Sequence, residues 1–401
     1  MANDWLNSRE AARRLGISAA TLYAYVSRGL LRSEPTDGSR ERRYRADDIS
    51  RLKRRREVGR KAESIANHAL DFGTPVLESA LTLIEDGHLY YRGVDATELA
   101  RTASLEDVAR LVWECDDKPF AADNLPPLTT ALRRAWLAAA TLGPVDRCLV
   151  LLPAAAALDH PSWVEDRAAM LETGVRVLRL LTAAVTARPP STLPVHQQLA
   201  AAWRVPPEHA PLLRAALVLS ADHEFNASAF AARVVASTGA NLYGAVMAGL
   251  AALNGPRHGG LTRRVASLFD DLKTVDDLDA ELARRVRDRV YIPGFGHPLY
   301  PDGDVRAVTL FALLHESVPQ SPELAFADRL AGAAERLLDR KANVDFATVT
   351  VERVLGLPKD SALALFLLGR TVGWIAHALE QAAHGVLIRP RARYTGPRPS
   401  A

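Results

Sequence analysis

The chain has 401 residues, of which 48% are apolar and 24% are charged, an ordinary globular composition that predicts two or three domains. Its net charge is +3, and Cys115 and Cys148 are too few for a disulfide framework or a four-thiolate metal site. No apolar run approaches the roughly 20 residues that span a bilayer, and the start, MANDWLNSRE, lacks the apolar core of a secretory signal. These observations predict a cytoplasmic protein with no metal site and no membrane segment.

Positive charge is concentrated at the beginning of the chain. Residues 1–61 carry 16 basic and 8 acidic side chains, a balance of +8, whereas the remaining residues carry a balance of −5. A basic head on a mildly acidic body predicts two modules with different partners. Nucleic acid is the polyanion expected at the head.

The head begins with two predicted short helices joined by a glycine-containing turn. The first is predicted to be capped by Ser8 and to bury Leu15. The second is predicted to bury Leu22 and Val26 and to end at Gly29. Two such helices form the helix-turn-helix pattern.

A small wing and a third helix are predicted next. Strand-like segments at 30–32 and 43–45 flank a turn at 35–39, and Asp47 opens a basic helix. This order resembles the winged helix-turn-helix of MerR- and excisionase-type DNA-binding proteins. The resemblance implies that the second helix enters the major groove and that the wing contacts phosphates. The residues implied for DNA contact are Thr21, Tyr25, Arg28, Arg40, Arg42 and Arg43. A solvated basic docking module is the alternative.

The body is predicted to be almost entirely α-helical. A helical connector is expected over 57–72, then a β-hairpin at Asp86-Gly87 and a helix that begins near Ala96. Apolar spacing of three to four residues predicts helices over 105–114, 129–141, 145–158, 163–187, 207–219 and 226–253.

Seven polar residues in apolar or helix-flanked segments are candidates for chemistry. GFGHPLY (294–300) lacks the features of a dinucleotide fingerprint, and the sequence contains no P-loop, HExxH or GxSxG. The candidates are His223, His258, His297, Arg306, Asp345, Arg370 and Arg389. A lone loop histidine is more often a core or capping group than a catalyst.

Residues from about 70 to 396 resemble citrate synthase, because six motifs agree with that family in order and separation. These are DHE with NAS and FAARVVASTGANLYGAV, then GPRHGG, PGFGH, NVDF, GRTVGWIAHALEQ and IRPRARYTG. The resemblance implies an all-α fold with large and small helical domains behind the winged helix-turn-helix. The domains expected are a head (1–61), a connector (62–72), a body (73–396) with a small subdomain at roughly 260–365, and a short end segment (397–401).

The resemblance also implies the chemistry. The family condenses acetyl-CoA with oxaloacetate and water to give citrate and CoA, a reaction of the tricarboxylic acid cycle, with acetyl-CoA as co-substrate and no other cofactor. The implied catalytic residues are Asp345 as the base, His258 as the donor to the enolate oxygen and His297 as the donor to the ketone. The implied substrate-binding residues are His223, Arg306, Arg370 and, from a neighbouring subunit, Arg389. A homodimer or larger homo-oligomer is therefore expected.

Some of these residues have ordinary structural alternatives. Asp345 could cap the helix that follows it, which is the commoner role of Asp before an apolar run. Arg389 lies in a basic segment where a surface charge needs no explanation. Arg370 lies in an apolar helix, where an unpaired charge is costly, so an anionic partner is expected.

The sequence departs from the family at four places, which keeps other functions open. Ser220 stands where the family has histidine, and Pro298 where many relatives carry arginine. The segments 261–263 after HGG and 347–349 after NVDF also differ. These changes surround the acyl-CoA side, so propionyl-CoA, which would give 2-methylcitrate, remains a possible substrate. The rival function is a transcriptional regulator whose body senses acyl-CoA or oxaloacetate.

Overall fold

The computed structural model describes residues 5–15, 22, 26, 31–35, 42–46, 48–49, 77–164, 166–392 and 394–397. The chain forms two compact units, Met1–Glu78 and Ser79–Ala401. The first contains the basic head and the second contains the helical body. The finer boundaries proposed from the sequence remain predictions, and the predicted connector lies outside the described residues.

The described part of the head is a three-stranded antiparallel sheet beside one short helix. Its elements are β1 (Trp5–Asn7), α1 (Ser8–Leu15), β2 (Ser33–Pro35) and β3 (Arg42–Arg45). β3 is the central strand and pairs with β1 on one side and β2 on the other. Tyr44 packs with Leu15, Leu22 and Leu31 in a small core, and the partly buried Val26 packs against it.

Three details of the head differ from the sequence prediction. Asn7, not Ser8, caps α1: the Asn7 side chain accepts the Glu10 N–H at 2.9 Å, and the Glu10 carboxylate accepts the Asn7 N–H at 3.2 Å. The strand predicted at 30–32 begins instead at Ser33, and Leu31 before it is buried in the core. β1 is absent from the prediction, since three residues are too few to show an alternating pattern.

The body consists of a small sheet followed by fifteen α-helices among the described residues. The predicted hairpin is confirmed, with Asp86 and Gly87 at φ of 51° and 77° between its strands. The elements are β4 (Thr82–Glu85), β5 (His88–Tyr91), β6 (Val94–Asp95), α2 (Ala96–Thr102), α3 (Leu105–Trp113), α4 (Thr130–Ala138), α5 (Pro144–Ala156), α6 (Arg167–Thr186), α7 (Val195–Trp203), α8 (Ala210–Leu219), α9 (Ala227–Ala236), α10 (Leu242–Leu253), α11 (Leu261–Leu272), α12 (Leu278–Arg287), α13 (Val305–Ser317), α14 (Pro322–Leu338), α15 (Val344–Val354) and α16 (Ser361–His384).

The segment 226–253 is two helices, α9 and α10, rather than the single helix predicted. After the end of α9, Gly239 has a backbone φ of 80°, which residues with a Cβ atom rarely adopt. Asn241 then caps α10 by accepting the Gly244 N–H at 3.1 Å. The small apolar residues continue across this break, which is why their spacing alone did not reveal it.

α16 is the central helix of the body and packs very closely against α8. A Cβ at Gly369 would lie 2.4 Å from the carbonyl oxygen of Leu217, and one at Gly373 would lie 2.4 Å from that of Ala221. By length and composition α16 could span a membrane, which corrects the prediction that no such run exists. Its apolar stretch is entirely buried inside the protein, as expected of a core helix.

A second core lies among α11, α12, α14 and α15. Phe269 belongs to it, and its ring centroid lies 5.7 Å from that of Phe326 and 5.0 Å from that of Phe346. Phe311 of α13 packs against both this core and the larger one around α16. The helices that flank the candidate site therefore pack into both cores.

Candidate active site

Six of the seven candidate residues lie at or beside helix ends or in the middle of α16. They are His223 between α8 and α9, His258 between α10 and α11, His297 before α13, Arg306 in the first turn of α13, Asp345 in the first turn of α15 and Arg370 in α16. Direct contacts or electrostatic interactions connect these six residues, which we call the polar cluster.

Two histidines of the polar cluster meet at Tyr300. The rings of His223 and His297 form an edge-to-face pair with centroids 5.0 Å apart. Nε2 of His223 lies 3.0 Å from the Tyr300 hydroxyl. Nδ1 of His297 accepts the Leu299 N–H at 3.2 Å, which places the proton of a neutral imidazole on Nε2.

Both of these histidines are uncharged at neutral pH. Burial, reinforced by the nearby positive charge of Arg306, lowers the pKa of His297 to about 4. The same two causes, with Arg370 and His297 adding to them, hold the pKa of His223 well below its usual value. Each histidine can therefore act as a neutral hydrogen-bond donor.

Arg306 is held by a buried carboxylate two residues before it. Its Nε and Nη2 donate to the two oxygens of Asp304 at 2.9 and 2.8 Å, and both residues are 2% exposed. Asp304 also accepts the Val344 N–H at 2.9 Å, which joins the first turns of α13 and α15. Burial would raise the pKa of Asp304, but Arg306 outweighs it and the pKa is lowered. The ion pair thus fixes Arg306 relative to the turn that carries Asp345.

Arg370 is 1% exposed and only partly satisfied. Its Nε donates to the carbonyl oxygen of Ser220 at 2.9 Å, and its guanidinium lies 4.8 Å from the Phe366 ring centroid. Nη2 is buried and has no hydrogen-bond partner among the described residues. Burial lowers the pKa of Arg370 to about 10. A buried donor without an acceptor is costly, so this side chain is suited to an anionic ligand.

Asp345 does not cap its helix, so that structural alternative is excluded. The side chain of Asn343 performs this role, accepting the N–H groups of Asp345 at 3.1 Å and Phe346 at 3.3 Å. Burial raises the pKa of Asp345 to about 7, against the opposing effects of Arg306 and Arg370. A carboxyl group that ionises near neutral pH is well suited to act as a general base.

His258 lies in a tight turn and contacts a serine hydroxyl. Its Nε2 is 2.8 Å from Oγ of Ser228, which also accepts the indole N–H of Trp374 at 3.1 Å. Burial, followed by the charge of Arg370, lowers the pKa of His258 to about 4. A Cβ at Gly259 would lie 2.5 Å from Leu253, so the turn after His258 requires glycine.

The partners of the polar cluster were missed by sequence reasoning. Ser228 lies in NAS, while Tyr300 and Asp304 lie in the segment PLYPDGDV, which differs from the family pattern. Asp222 accepts the Thr82 hydroxyl at 2.6 Å and lies 3.2 Å from Nε2 of His377. The sequence signals present were Asp222 directly before His223, Tyr300 three residues after His297 and Asp304 two residues before Arg306.

Two further positions singled out in the sequence, Arg389 and Ser220, are not part of the polar cluster. Arg389 is exposed in the segment after α16, and no hydrogen bond joins it to the cluster within the described part of the chain. Ser220, the residue that replaces a family histidine, is fully buried, and its hydroxyl has no partner among the described residues. A Cβ at Gly369 would lie 2.9 Å from the Ser220 Cβ, so α16 passes directly beside this side chain.

The residues implied for DNA contact are described only in part. Thr21, Tyr25, Arg28 and Arg40 lie outside the described residues. Arg42 and Arg43 are exposed on β3. Arg43 lies 3.4 Å from Glu34 and 4.9 Å from the Trp5 ring centroid.

A large surface cleft lies apart from the chemistry described above. The cleft, of about 610 Å³, contains none of the seven candidate residues. Its charged groups pair with one another, as in Lys273 with Glu323 at 2.6 Å and Arg353 with Asp270 at 2.9 Å. Within the described ranges no three His, Cys, Asp or Glu side chains come together as a metal site.

Comparison with known proteins assigns the body and the head to families. Residues 70–391 match the family described as citrate synthase, C-terminal domain, and residues 6–58 match the MerR HTH family regulatory protein. The citrate synthase of Haloferax volcanii is 32% identical over 369 residues, 81% of this chain and 94% of that protein. The citrate synthase of Mycolicibacterium smegmatis is 30% identical over 338 residues, 78% of this chain and 90% of that protein.

A solved structure agrees with these matches. The crystal structure of citrate synthase from Thermotoga maritima superposes with a TM-score of 0.70 at 27% identity, covering 82% of this chain and 96% of that one. The predicted helical fold of the body is therefore confirmed. The chain belongs to the citrate synthase family and carries a MerR-family helix-turn-helix domain at its N-terminal end.

Proposed function

We propose that this chain is a citrate synthase, which condenses acetyl-CoA with oxaloacetate and water to give citrate and CoA. The observation that carries the proposal is the polar cluster within a member of this family. It combines a carboxyl group that ionises near pH 7, three uncharged histidines and two buried guanidinium groups.

Asp345 is the proposed base and His258 the proposed donor to the enolate oxygen. A methyl group next to a thioester is a very weak acid, so its deprotonation needs a positioned base and stabilisation of the oxygen that gains charge. Asp345 takes the methyl proton. Oγ of Ser228 lies 2.8 Å from Nε2 of His258 and 2.7 Å from Oδ1 of Asn226. When its single O–H turns to His258, the imidazole proton is on Nδ1 and can be donated to the enolate oxygen.

His297 is the proposed donor to the ketone of oxaloacetate. Its Nδ1 already accepts the Leu299 N–H, so the Nε2 proton is the one directed to substrate. The methyl carbon bonds to the ketone carbon while the ketone oxygen takes up a proton. Water then cleaves the thioester, releasing CoA as a thiol and leaving the third carboxylate of citrate.

Arg306, Arg370 and His223 are proposed to bind the carboxylates of oxaloacetate. Asp304 engages Nε and Nη2 of Arg306, so the other side of the guanidinium is left for substrate. Nη2 of Arg370 has no hydrogen-bond partner among the described residues, as expected of a group that awaits an anion. Planar guanidinium groups suit carboxylates better than ammonium groups do.

Arg389 of a second copy is proposed to complete the site, which makes the active form a homodimer or larger assembly. Asp304 largely neutralises Arg306, so a dicarboxylate needs further positive charge. Arg389 is exposed beside Val386 and Leu387, which are 66% and 53% exposed in the single chain. A second copy would cover this apolar surface and receive the arginine.

The experiment that tests the proposal is thiol release from acetyl-CoA by the purified full chain, with and without oxaloacetate, repeated with propionyl-CoA. Release that depends on oxaloacetate is expected, faster with acetyl-CoA. Faster release from propionyl-CoA would assign 2-methylcitrate synthesis instead. No release from either thioester, while oxaloacetate still raises the melting temperature, would favour a sensor.

DNA binding by the head is a second proposed function, which the match of residues 6–58 to the MerR family supports. Exposed Arg42 and Arg43 on β3 would contact phosphates. Both activities can belong to one protein, since the polar cluster and the basic head lie in different units. We place this protein in the cytoplasm, where free thiols such as Cys115 and Cys148 remain reduced.

A further inference from the structure

We infer that Arg233 and Ser237 of α9 are positioning residues that hold the C-terminal arm, residues 385–392, so that Arg389 reaches the active site of a second copy. The inference rests on the proposed function. Nothing in the chemistry described above uses these two residues, although Arg233 is 1% exposed and carries a buried charge.

The Arg233 guanidinium organises the last turn of α16. Nε donates to Oε1 of Gln381 at 2.7 Å, Nη1 donates to the Glu380 carboxylate, and Nη2 lies 3.1 Å from Nδ1 of His384. The guanidinium also lies 5.1 Å from the ring centroid of Phe225. Three partners within five residues require a forked cation, which a lysine ammonium cannot imitate.

The same residues connect this turn to the C-terminal arm. Gln381 uses its carbonyl oxygen on Arg233 and its amide nitrogen to donate to the carbonyl oxygen of Val386 at 2.7 Å. Ser237, at the end of α9, accepts the Ile388 N–H at 3.1 Å. The arm is therefore tied to the body at two points before Arg389.

Ile388 directly precedes Arg389, so the second tie fixes where the arginine side chain begins. Without the Ser237 hydrogen bond, the arm would sample many backbone conformations. Binding of substrate by Arg389 would then cost more conformational entropy. Loss of the tie is therefore expected to weaken oxaloacetate binding more than it slows the chemical steps.

Ser237→Ala in the full chain isolates this effect, with Thr238→Ala as the matched control. The Ser237 hydroxyl donates within its own helix to Val234 and accepts from the arm, whereas the Thr238 hydroxyl only donates to Val235. We expect the KM for oxaloacetate to rise about three- to tenfold in Ser237→Ala, the loss of one hydrogen bond, with kcat little changed. Ser237→Thr should restore the KM, and Arg233→Lys should raise it further.

Two further measurements separate this inference from the proposed function. In an Arg389→Ala background, Ser237→Ala should have no further effect on the KM, since the arm then carries no arginine to position. Trypsin cleavage after Arg391, followed by mass spectrometry, reports release of the arm without any substrate and should be faster in Ser237→Ala than in Thr238→Ala.

Each outcome has a distinct meaning. A wild-type chain with no condensation activity would end the proposed function, while faster cleavage would still show that Ser237 ties the arm. In an active enzyme, an unchanged KM in Ser237→Ala, or the same rise with and without Arg389, would overturn the inference. Wild-type cleavage in Ser237→Ala and in Arg233→Lys would overturn it as well.

Discussion

Ser228 Oγ lies 2.8 Å from Nε2 of His258 and also accepts the indole N–H of Trp374 at 3.1 Å. One hydroxyl group therefore joins α9, the turn before α11 and the central helix α16. Because its pKa is lowered to about 4, His258 stays neutral at physiological pH, and its orientation depends on this contact.

Replacing Ser228 by Ala should lower kcat by about 10- to 100-fold, because the His258 ring loses the hydroxyl that fixes its orientation. The KM for oxaloacetate should change little, since Arg306 and Arg370 are untouched. Steady-state kinetics at pH 8 would measure both. Ser267→Ala is the control, because that hydroxyl donates only to its own helix at Arg263. A kcat equal to the control in a stably folded Ser228→Ala would contradict the assignment.

The pH dependence of kcat/KM should have an acid limb near pH 7. Asp345 must be ionised to take a proton, and burial raises its pKa to about 7, so the rate should fall about tenfold per pH unit below that value. His258 and His297 have pKa values of about 4, so they are neutral throughout this range. A profile that stays flat down to pH 5 would exclude Asp345 as a base with a raised pKa.

The same raised pKa makes ionisation of Asp345 unfavourable to the fold. The folded pKa of about 7 exceeds the ordinary value of 3.8, so the stabilising contribution is present below 3.8 and is lost as pH rises to 7. Relative to wild type, Asp345→Asn should therefore gain stability between pH 4 and pH 7, with a constant difference above pH 7. Urea unfolding without substrate would measure this.

Asp304→Asn should show the opposite dependence of stability on pH. The pKa of Asp304 is lowered, so its contribution is present above the ordinary value and is lost as pH falls. This variant should be less stable than wild type at pH 7. If the stability of both variants relative to wild type changed with pH in the same direction, burial would not be what sets the pKa of Asp345.

Arg370→Lys should raise the KM for oxaloacetate about 10- to 100-fold, because an ammonium group cannot donate to Ser220 and to a substrate carboxylate in the same planar geometry. The oxaloacetate-induced rise in melting temperature should shrink in parallel. Arg263→Lys, in an ion pair with Asp360 at 3.0 Å, is the matched control. If both variants bound oxaloacetate equally well, Arg370 would not be a substrate-binding residue.

DNA binding by the full chain should weaken steeply with salt, because phosphate contacts release bound counterions. Arg42→Glu with Arg43→Glu should abolish it while leaving thiol release intact, since the polar cluster lies in the other unit. Fluorescence anisotropy on genomic fragments at several salt concentrations would measure the affinity. Arg284→Glu on α12 is the control, and salt-independent binding would argue against phosphate recognition.

The sequence was sufficient for residues that stand inside distinctive motifs. His258 and His297 are each flanked by glycine, and Arg370 is a charge in an apolar helix, so the sequence marked them as candidates before any contact was known. The helical body could be predicted because most of its helices are long and regularly spaced. The break at Gly239 and the cap at Asn7 were missed, because each depends on a few local hydrogen bonds.

The partners of these residues were beyond sequence reasoning for a different reason. Ser228 and His258 are 30 residues apart, and His223 and Tyr300 are 77 apart, yet each pair is within hydrogen-bonding distance. Only the packing of helices from both cores brings such residues together. Asp304 was overlooked because its segment departs from the family pattern, although it holds Arg306 in place.

The part of α16 from Gly369 to Gln381 makes a series of contacts that few other residue types could make. Gly369 leaves room for α8 and Gly373 for Ala221, while Arg370 donates to Ser220, Trp374 donates to Ser228 and Gln381 holds the arm. Such a helix has little freedom to drift during evolution. Saturation mutagenesis under selection for activity should show it as the longest segment that tolerates almost no replacement, while the exposed face of α12 accepts many.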